Sequence, residues 1–241
     1  MARERADRLL VACGLAPSRT RARALIEAGK VFADGAPVKT ASDLLAPAAV
    51  LTLSELDHPY VSRGGAKLEG ALDDLKVEVR ALVVADIGAS TGGFTDCVLQ
   101  RGATRVYAID VGHDQLHPTL RTDPRVIAHE GVNARELTSL PEPIDLVVVD
   151  ASFISLTKLL PALAKLVREG GRVLALVKPQ FEVGPDHLGK RGVVTDDALR
   201  ERALQDVISA AQTLTLRFLA SADCRLLGPE GNREIFALFE R

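Results

Sequence analysis

A glycine-rich segment, Gly-Ala-Ser-Thr-Gly-Gly at residues 88–93, has a composition suited to binding a cofactor. It follows the apolar run Leu-Val-Val-Ala-Asp-Ile, which predicts a buried strand turning into a helix. Asp110 ends the next apolar run, at the spacing of about 20 residues where a carboxylate binds a ribose diol. This pattern fits S-adenosylmethionine (SAM) or NAD. The absence of a third dinucleotide-type glycine and of a P-loop lysine favours SAM. A glycine turn needed only for packing is the alternative.

Two further charged residues end apolar runs. Asp150 follows three valines, and Lys178 follows Val-Leu-Ala-Leu-Val. A buried charge loses its hydration, so it needs a partner or a task. Parallel strands bring their carboxyl ends to one edge of a sheet, where ligands bind. We therefore expect Asp150 and Lys178 to face each other beside the cofactor. A purely structural salt bridge is the alternative.

The elements that must position these residues alternate between strand and helix from Leu82 onward. This alternation predicts an α/β fold with a parallel, doubly wound sheet. A helix over 156–171 is expected to stop at paired glycines. A long amphipathic helix is expected over 195–214, with Thr195 or Asp196 as its cap. The glycine-rich segment 184–196 is either a mobile lid over the site or an ordinary surface loop.

The first fifty residues predict a separate module of two helices and a hairpin. Leu9, Leu10 and Cys13 form an apolar face of the first helix. Pro17-Ser18 opens the second, whose buried side is Ala22, Leu25 and Ile26. Asp34-Gly35 is the hairpin turn. Residues 1–39 carry eight Lys or Arg against four Asp or Glu. This basic face either contacts RNA or is simply solvated.

Composition narrows the class of protein. The sequence has 241 residues and a net charge of −2, enough for one large domain and one small one. Its three cysteines are far apart, which argues against disulfides and zinc and fits a reducing compartment. No apolar stretch approaches the roughly 20 residues of a membrane span. We expect a cytoplasmic protein without a metal or a membrane partner.

Several of these motifs, in order, resemble the TlyA family, also called haemolysin A. They are "ADIGASTGGFTDCVLQRGA", "VVVDASFISL", "LVKPQFEVG", "GVVTD" and "GNREIF". Residues 5–35 resemble an S4 RNA-binding domain. The resemblance covers essentially the whole chain. It implies a Rossmann-like SAM-dependent methyltransferase domain of the FtsJ/RrmJ group behind a small α+β S4 domain. The expected bounds are 1–58 for the S4 domain, 59–66 for a linker and 67–241 for the methyltransferase domain.

The resemblance also implies an activity, 2′-O-methylation of cytidine ribose in ribosomal RNA. A Lys-Asp-Lys-Glu tetrad carries over to Lys67, Asp150, Lys178 and Glu234. Glu230 lies nearby, and the family's ending favours Glu234. A free lysine is protonated at neutral pH. Burial and a second cation, Lys67, favour its neutral form, whereas Asp150 and Glu234 oppose it. Lys178 is therefore the expected base and Asp150 the group that orients it.

The expected ligand contacts follow from the same resemblance. The predicted cofactor-binding residues are Asp86, Gly88, Ala89, Ser90, Thr91, Gly92, Gly93, Phe94, Asp110, Val111, Asn133 and Asp150. The predicted RNA-binding residues are Arg5, Arg8, Ser18, Arg19, Arg23, Lys30 and Arg63. The short termini favour large-subunit RNA as the target, with small-subunit RNA possible. The sequence leaves the modified nucleotide and the oligomeric state open. The competing hypotheses are a non-catalytic ribosome assembly factor and, less favoured, a haemolysin.

Overall fold

The computed structural model describes residues 3–16, 18–27, 29–53 and 58–241. The chain divides into two compact units, Met1–Pro59 and Tyr60–Arg241. Pro17, the expected opener of the second helix, and residues 54–57 lie outside the described residues. Across the described ranges, no helix is both long enough and apolar enough to span a membrane.

The first unit has two helices and short antiparallel strands. In chain order its elements are β1 (Glu4–Arg5), α1 (Ala6–Ala12), α2 (Arg19–Glu27), β2 (Val31–Ala33), β3 (Ala36–Pro37), β4 (Leu44–Leu45) and β5 (Leu51–Leu53). Strand β1 pairs with β4, and a second sheet has the order β3-β2-β5. The predicted hairpin is confirmed as β2–β3. Both turn residues, Asp34 and Gly35, have positive φ, as the favoured two-residue hairpin turn requires.

The predicted apolar faces of the two helices are mostly confirmed. Leu9 and Leu10 of α1 are buried, as are the three predicted residues of α2. Cys13 is exposed, so its predicted place on the buried face was wrong. Helix α1 ends at Ala12, and Cys13 therefore begins the turn into Gly14 instead of continuing the helical face.

The second unit contains one large sheet flanked by helices. Its strands are β6 (Val83–Ile87), β7 (Arg105–Asp110), β8 (Val126–Glu130), β9 (Ile144–Val149), β10 (Val167–Val177), β11 (Arg217–Asp223) and β12 (Ile235–Glu240). Its α-helices are α3 (Arg63–Asp74), α4 (Gly93–Gln100), α5 (Pro118–Arg121), α6 (Leu160–Leu166), α7 (Pro179–Glu182) and α8 (Asp197–Gln212). Short 3₁₀ turns lie at Leu156–Lys158, Pro185–His187 and Lys190–Gly192. Helix α3 begins inside the segment 59–66 that the sequence predicted as a linker.

The sheet has the order β11-β12-β10-β9-β6-β7-β8. The five strands from β10 to β8 are mutually parallel, as predicted, whereas β12 runs antiparallel to both of its neighbours. Ile235, the first residue of β12, pairs with Val177, the last residue of β10. The amino end of β12 therefore lies at the same edge as the carboxyl ends of the parallel strands.

Both faces of this sheet are buried, which explains the uninterrupted apolar strands. Alternate residues of β9 point to opposite sides: Val147 and Val149 pack in a core with α6 and α8. Leu146 and Val148 pack in another core with α3 and α4. Helices thus cover both faces, which is the doubly wound arrangement that the sequence predicted.

One helix is shorter than the sequence predicted. The helix expected over 156–171 ends at Leu166, and Val167 already pairs with Ile144 in the sheet. The paired glycines lie in an irregular part of β10, where the register shifts between Val167 and Arg172. The prediction for α8 is confirmed, with Asp196 as the cap: its side chain accepts a hydrogen bond from the Ala198 amide at 2.8 Å.

Candidate active site

Strands β9 and β10 deliver Asp150 and Lys178 to the carboxyl edge of the sheet. Lys178 Nζ lies 2.7 Å from Asp150 Oδ1 and donates a hydrogen bond of 2.7 Å to Ser152 Oγ. Pro179 begins α7 immediately afterwards, and because proline cannot donate to the ladder, the strand ends there. Only 9% of the Lys178 side chain is exposed. The ammonium is thus held by two oxygens at a desolvated strand end.

A second buried pair lies at the same edge. Lys67, in the second turn of α3, approaches Glu234 Oε2 at 2.5 Å, and their side chains are 9% and 1% exposed. Glu234 immediately precedes β12, and the antiparallel pairing of that strand with β10 brings the residue beside Lys178. Removing either partner would leave an uncompensated buried charge, so each side chain fixes the other.

All four members of the predicted tetrad line one cavity of about 520 Å³. Glu230 lines the same cavity but is exposed, whereas Glu234 is buried in the ion pair. Leu188 and Arg191, from the glycine-rich segment 184–196, also contribute to its wall. The arrangement therefore contains two lysine–carboxylate pairs around a space large enough for part of a nucleotide.

A second cavity, of about 470 Å³, adjoins the first. Both are lined by Gly88, Ser90, Asp150, Ser152 and Phe153. A group held in one cavity can therefore reach a group held in the other. Such a pair of adjoining spaces suits a reaction between a bound cofactor and a second substrate.

The predicted cofactor residues fall into three groups. Six line the second cavity: Gly88, Ser90, Asp110, Val111, Asn133 and Asp150. Four others line a smaller neighbouring space of about 130 Å³: Ala89, Thr91, Gly93 and Phe94. Gly92 and Asp86 line none of these three cavities. A Cβ on Gly92 would lie 2.3 Å from Leu120 of α5, so a glycine here lets the loop pack closely against that helix.

The glycine-rich loop is held by backbone geometry and by Asp110. Gly88 has a φ of +82°, and a Cβ there would lie 2.7 Å from the Asp150 carbonyl oxygen. Glycine is therefore needed where the ends of β6 and β9 meet. The Asp110 carboxylate accepts hydrogen bonds from the amides of Ser90 and Gly112, at 2.8 and 2.7 Å. The expected diol-binding carboxylate thus also ties the loop to β7.

Asp86 lies beneath this loop. It is fully buried, and its Oδ2 accepts a 2.6 Å hydrogen bond from the Thr95 hydroxyl. Its Oδ1 has no hydrogen-bond partner among the described residues. Burial raises the pKa of Asp86 to about 7, with the Thr95 hydrogen bond opposing and the nearby Asp150 charge adding to the shift. Asp86 supports the loop from below instead of facing the cavity.

These features fit a nucleoside cofactor. The second cavity combines apolar walls, including Ile109 and Val132, with the Asp110 carboxylate and the Asn133 amide. An apolar pocket with a few convergent polar groups is typical of small-molecule sites. Gly88, which has no side chain, also lines this cavity. The donor set therefore matches an adenosine-containing group better than a bare anion.

In the first unit, three predicted RNA-binding arginines surround one carboxylate. Asp7 is fully buried and lies 3.0 Å from Arg5 Nε, 2.9 Å from Arg19 Nη2 and 3.5 Å from Arg23 Nε. The hydrogen bond from Arg5, followed by that from Arg19, holds the pKa of Asp7 well below its ordinary value, against the effect of burial. The arginine side chains remain between one third and about half exposed. Their charges are thus fixed close together at the surface.

The other predicted RNA-binding residues have different surroundings. Arg8 and Arg63 are exposed, Arg63 at the start of α3 in the second unit. Ser18 accepts a 3.2 Å hydrogen bond from the Arg21 amide and so caps α2, as predicted. Lys30 is partly buried. Arg5, Arg19 and Arg23 therefore form a cluster that the spacing of Arg19 and Arg23 only partly indicated.

Sequence reasoning missed two residues that organise the site. Ser152 contacts Lys178, and the short Asp-Ala-Ser spacing after β9 was an available signal. Asn232 is buried; its Oδ1 accepts a hydrogen bond from the Val194 amide and its Nδ2 donates one to the Gly192 carbonyl. Asn232 thus anchors the segment expected to be a lid or surface loop to the turn before Glu234.

Comparison with known proteins identifies the class. The FtsJ-like methyltransferase family matches residues 60–241, and the S4 domain matches residues 4–51. The chain belongs to the FtsJ-like methyltransferase family and is a methyltransferase with an S4 domain at its N-terminus. A SAM-dependent methyltransferase from Mesorhizobium loti, only 13% identical, shares the fold with a TM-score of 0.59 over 75% of this chain and all of that one.

Closer relatives narrow the family to TlyA. The 16S/23S rRNA (cytidine-2′-O)-methyltransferase TlyA of Mycobacterium tuberculosis is 46% identical over 97% of this chain and 88% of its own. The 23S rRNA (cytidine-2′-O)-methyltransferase TlyA of Campylobacter jejuni is 35% identical over 91% and 92%. A solved hemolysin-named structure from Streptococcus thermophilus is 39% identical, with a TM-score of 0.80 over 100% and 89%.

Proposed function

We propose that this methyltransferase transfers a methyl group from SAM to the 2′-hydroxyl of a cytidine in ribosomal RNA. The observation that carries the proposal is the pair of adjoining cavities, one lined by Lys67, Asp150, Lys178 and Glu234, the other by Asp110 and the glycine-rich loop. Two TlyA relatives are named as enzymes of this activity. We assign RNA docking to residues 1–58 and methyl transfer to residues 67–241, joined by 59–66.

In the proposed reaction Lys178 accepts the proton of the ribose hydroxyl. Lys178 Nζ donates a hydrogen bond to Ser152 Oγ and lies at ion-pair distance from Asp150 Oδ1. In its neutral form, its lone pair would accept the proton of a hydroxyl held in the cavity that Lys178 lines. Lys67 and Glu234 position the ribose and balance the charge of the site.

Bound SAM would supply an electrophilic methyl group on a sulfonium. Asp110 would hold the ribose of the cofactor, and Gly88 and Ser90 would admit its methionyl part against the end of β6. Asp150 lines both cavities, so it stands where the methyl group and the hydroxyl must align. Holding these atoms in line should contribute much of the rate enhancement, as in other two-substrate transfers.

The proposed RNA target is ribosomal, with large-subunit RNA favoured. The names of both TlyA relatives include 23S rRNA, and only one includes 16S. The arginine cluster around Asp7 supports RNA docking, because fixed guanidinium groups suit phosphate oxygens. A ribose within folded RNA must be extruded to reach the Lys178 cavity.

The test is mass-spectrometric mapping of ribose methylation on both ribosomal RNAs after incubation with SAM. We expect a methylated cytidine with the unaltered protein and a loss of at least about 100-fold in rate for Lys178→Ala, the usual scale of general-base removal. Lys165→Ala, an exposed lysine of α6, is the matched control. Undiminished methylation by Lys178→Ala would overturn the assignment of the base. No methylation by the unaltered protein, together with no SAM binding in a titration, would favour the non-catalytic assembly factor.

A further inference from the structure

A groove of about 460 Å³ opens beside the catalytic cavity. Phe153, Gln180, Phe181 and Leu188 line both spaces, and Arg135 and Lys158 lie on the groove alone. The groove is therefore continuous with the space in which the target ribose would be placed. Its position suits the nucleotides on either side of that ribose.

The charge of this groove is one-sided. Arg135 and Lys158 are exposed, and in the described part of the chain neither forms an ion pair. None of the residues that line the groove is acidic. Two cations free of ion pairs, on a groove with no acidic lining residue, attract an anion, and their long side chains can reach successive charges along a flexible strand.

Aromatic rings form the wall between groove and cavity. Phe153 is 92% exposed and has a φ of +63°, a strained conformation for a bulky residue. Its ring lies 5.5 Å from that of Phe181, centroid to centroid. Folding alone gives no reason to hold an apolar ring in solvent at such a cost. An exposed aromatic ring beside free cations is the combination by which proteins hold single-stranded nucleic acid.

The groove is also fixed in shape. Glu182, in α7, accepts hydrogen bonds from the Ser155 hydroxyl at 2.6 Å and from the Leu156 amide at 2.8 Å. These bonds tie α7 to the 3₁₀ turn that carries Lys158. On the other side, the Asn133 side chain accepts a hydrogen bond from the Arg135 amide at 3.2 Å. The backbone that carries Arg135 and Lys158 is therefore held in place by hydrogen bonds.

We propose that this groove binds the single-stranded RNA adjoining the methylated nucleotide, with Arg135 and Lys158 on its phosphates and the Phe153–Phe181 wall against a base or ribose. The proposal rests on the proposed function and adds a subsite to it. The groove holds the extruded strand beside the site, so that the target ribose stays in the catalytic cavity.

The test compares Arg135→Ala, Lys158→Ala and the double variant with Arg80→Ala and Lys165→Ala, which remove exposed cations that do not line the groove. Methyl transfer is measured on free ribosomal RNA and on intact subunits over a range of KCl concentrations. For the double variant we expect KM for RNA to rise about tenfold or more with kcat within about twofold. The slope of log KM against log salt should fall by about 1.4, since each single-strand phosphate contact contributes about 0.7. Arg135→Lys should retain most of the affinity, and SAM binding should not change.

The results separate this proposal from the proposed function. An active unaltered protein whose double variant keeps the same KM and salt slope would overturn the groove while leaving methyl transfer in place. Impairment on intact subunits but not on free RNA would point to an acidic protein partner and would also overturn it. Phe153→Gly provides a second arm: release of the strained φ should raise Tm while KM for RNA rises. If the Phe153 ring were only structural, its removal would not raise both Tm and KM for RNA.

Discussion

Replacing Asp86 with Asn should change how the stability of the protein depends on pH. Asp86 is fully buried in β6, where the Thr95 hydroxyl donates a hydrogen bond to Oδ2 and Oδ1 has no partner among the described residues. Burial raises its pKa from 3.8 to about 7. In the folded protein the carboxyl group therefore holds its proton more tightly than in the unfolded chain.

The sign and size of the effect follow from this difference. The stabilising contribution is fully present below pH 3.8 and is lost as the pH rises to about 7, because the folded state binds the proton that the unfolded state has released. At 1.36 kcal/mol for each pH unit, the whole difference amounts to about 4 kcal/mol of unfolding free energy. Asn carries no such proton, so the variant escapes this loss.

The assay is urea unfolding followed by far-ultraviolet circular dichroism, since the chain has no Trp. Relative to the unaltered protein, Asp86→Asn should gain about 3 kcal/mol of unfolding free energy between pH 4.5 and pH 8. Asp206→Asn, which changes a half-exposed carboxylate on α8, should show no such gain. A constant free-energy difference between Asp86→Asn and the unaltered protein across this range would refute the buried-proton reasoning.

Two further predictions concern the other buried charges. Glu234→Gln should lower the unfolding free energy by about 3–5 kcal/mol, because it leaves the Lys67 ammonium buried without its counter-charge. Adding Lys67→Met should recover much of this stability but should not restore methyl transfer. A double variant as unstable as Glu234→Gln alone would contradict the pairing. Asp7→Asn should destabilise the protein at pH 7 and weaken RNA binding. The loss of stability relative to the unaltered protein should shrink as the pH falls below 3.8, because the low pKa of Asp7 contributes stability only while the group is ionised. A loss that is undiminished at pH 2 would show that the substitution removes packing instead of charge.

Much of the fold was predictable because its signals are local. Apolar runs that end in Asp110, Asp150 or Lys178 identify strands whose ends carry chemistry, and the edge of a parallel sheet gathers such ends. The end residues of helices and strands were harder to predict. The helix expected to continue to residue 171 stops at Leu166 because Val167 enters the sheet, a tertiary contact that no local propensity encodes.

Asp150 and Lys178 could be placed together from their strand ends, but the other buried charge pairs could not be predicted from local sequence, for the same reason. The i, i+4 spacing of Arg19 and Arg23 indicated a shared helix face, but not that Asp7 would be buried between them and Arg5. That burial requires α1 to pack on α2. Likewise, nothing local shows that Lys67 meets a carboxylate 167 residues further along the chain.

The direction of β12 explains how the second pair reaches the site. A parallel strand brings the residue that follows it to the carboxyl edge, so a parallel β12 would present its far end there, at Glu240, and Glu234 would lie at the opposite edge. Because β12 is antiparallel and Ile235 pairs with Val177, the residue before the strand stands beside the residue after β10. Asn232 then ties the preceding turn to the segment that carries Arg191. In this mixed sheet, residues that follow parallel strands and a residue that precedes an antiparallel strand therefore lie at the same edge. A wholly parallel sheet could not bring them together.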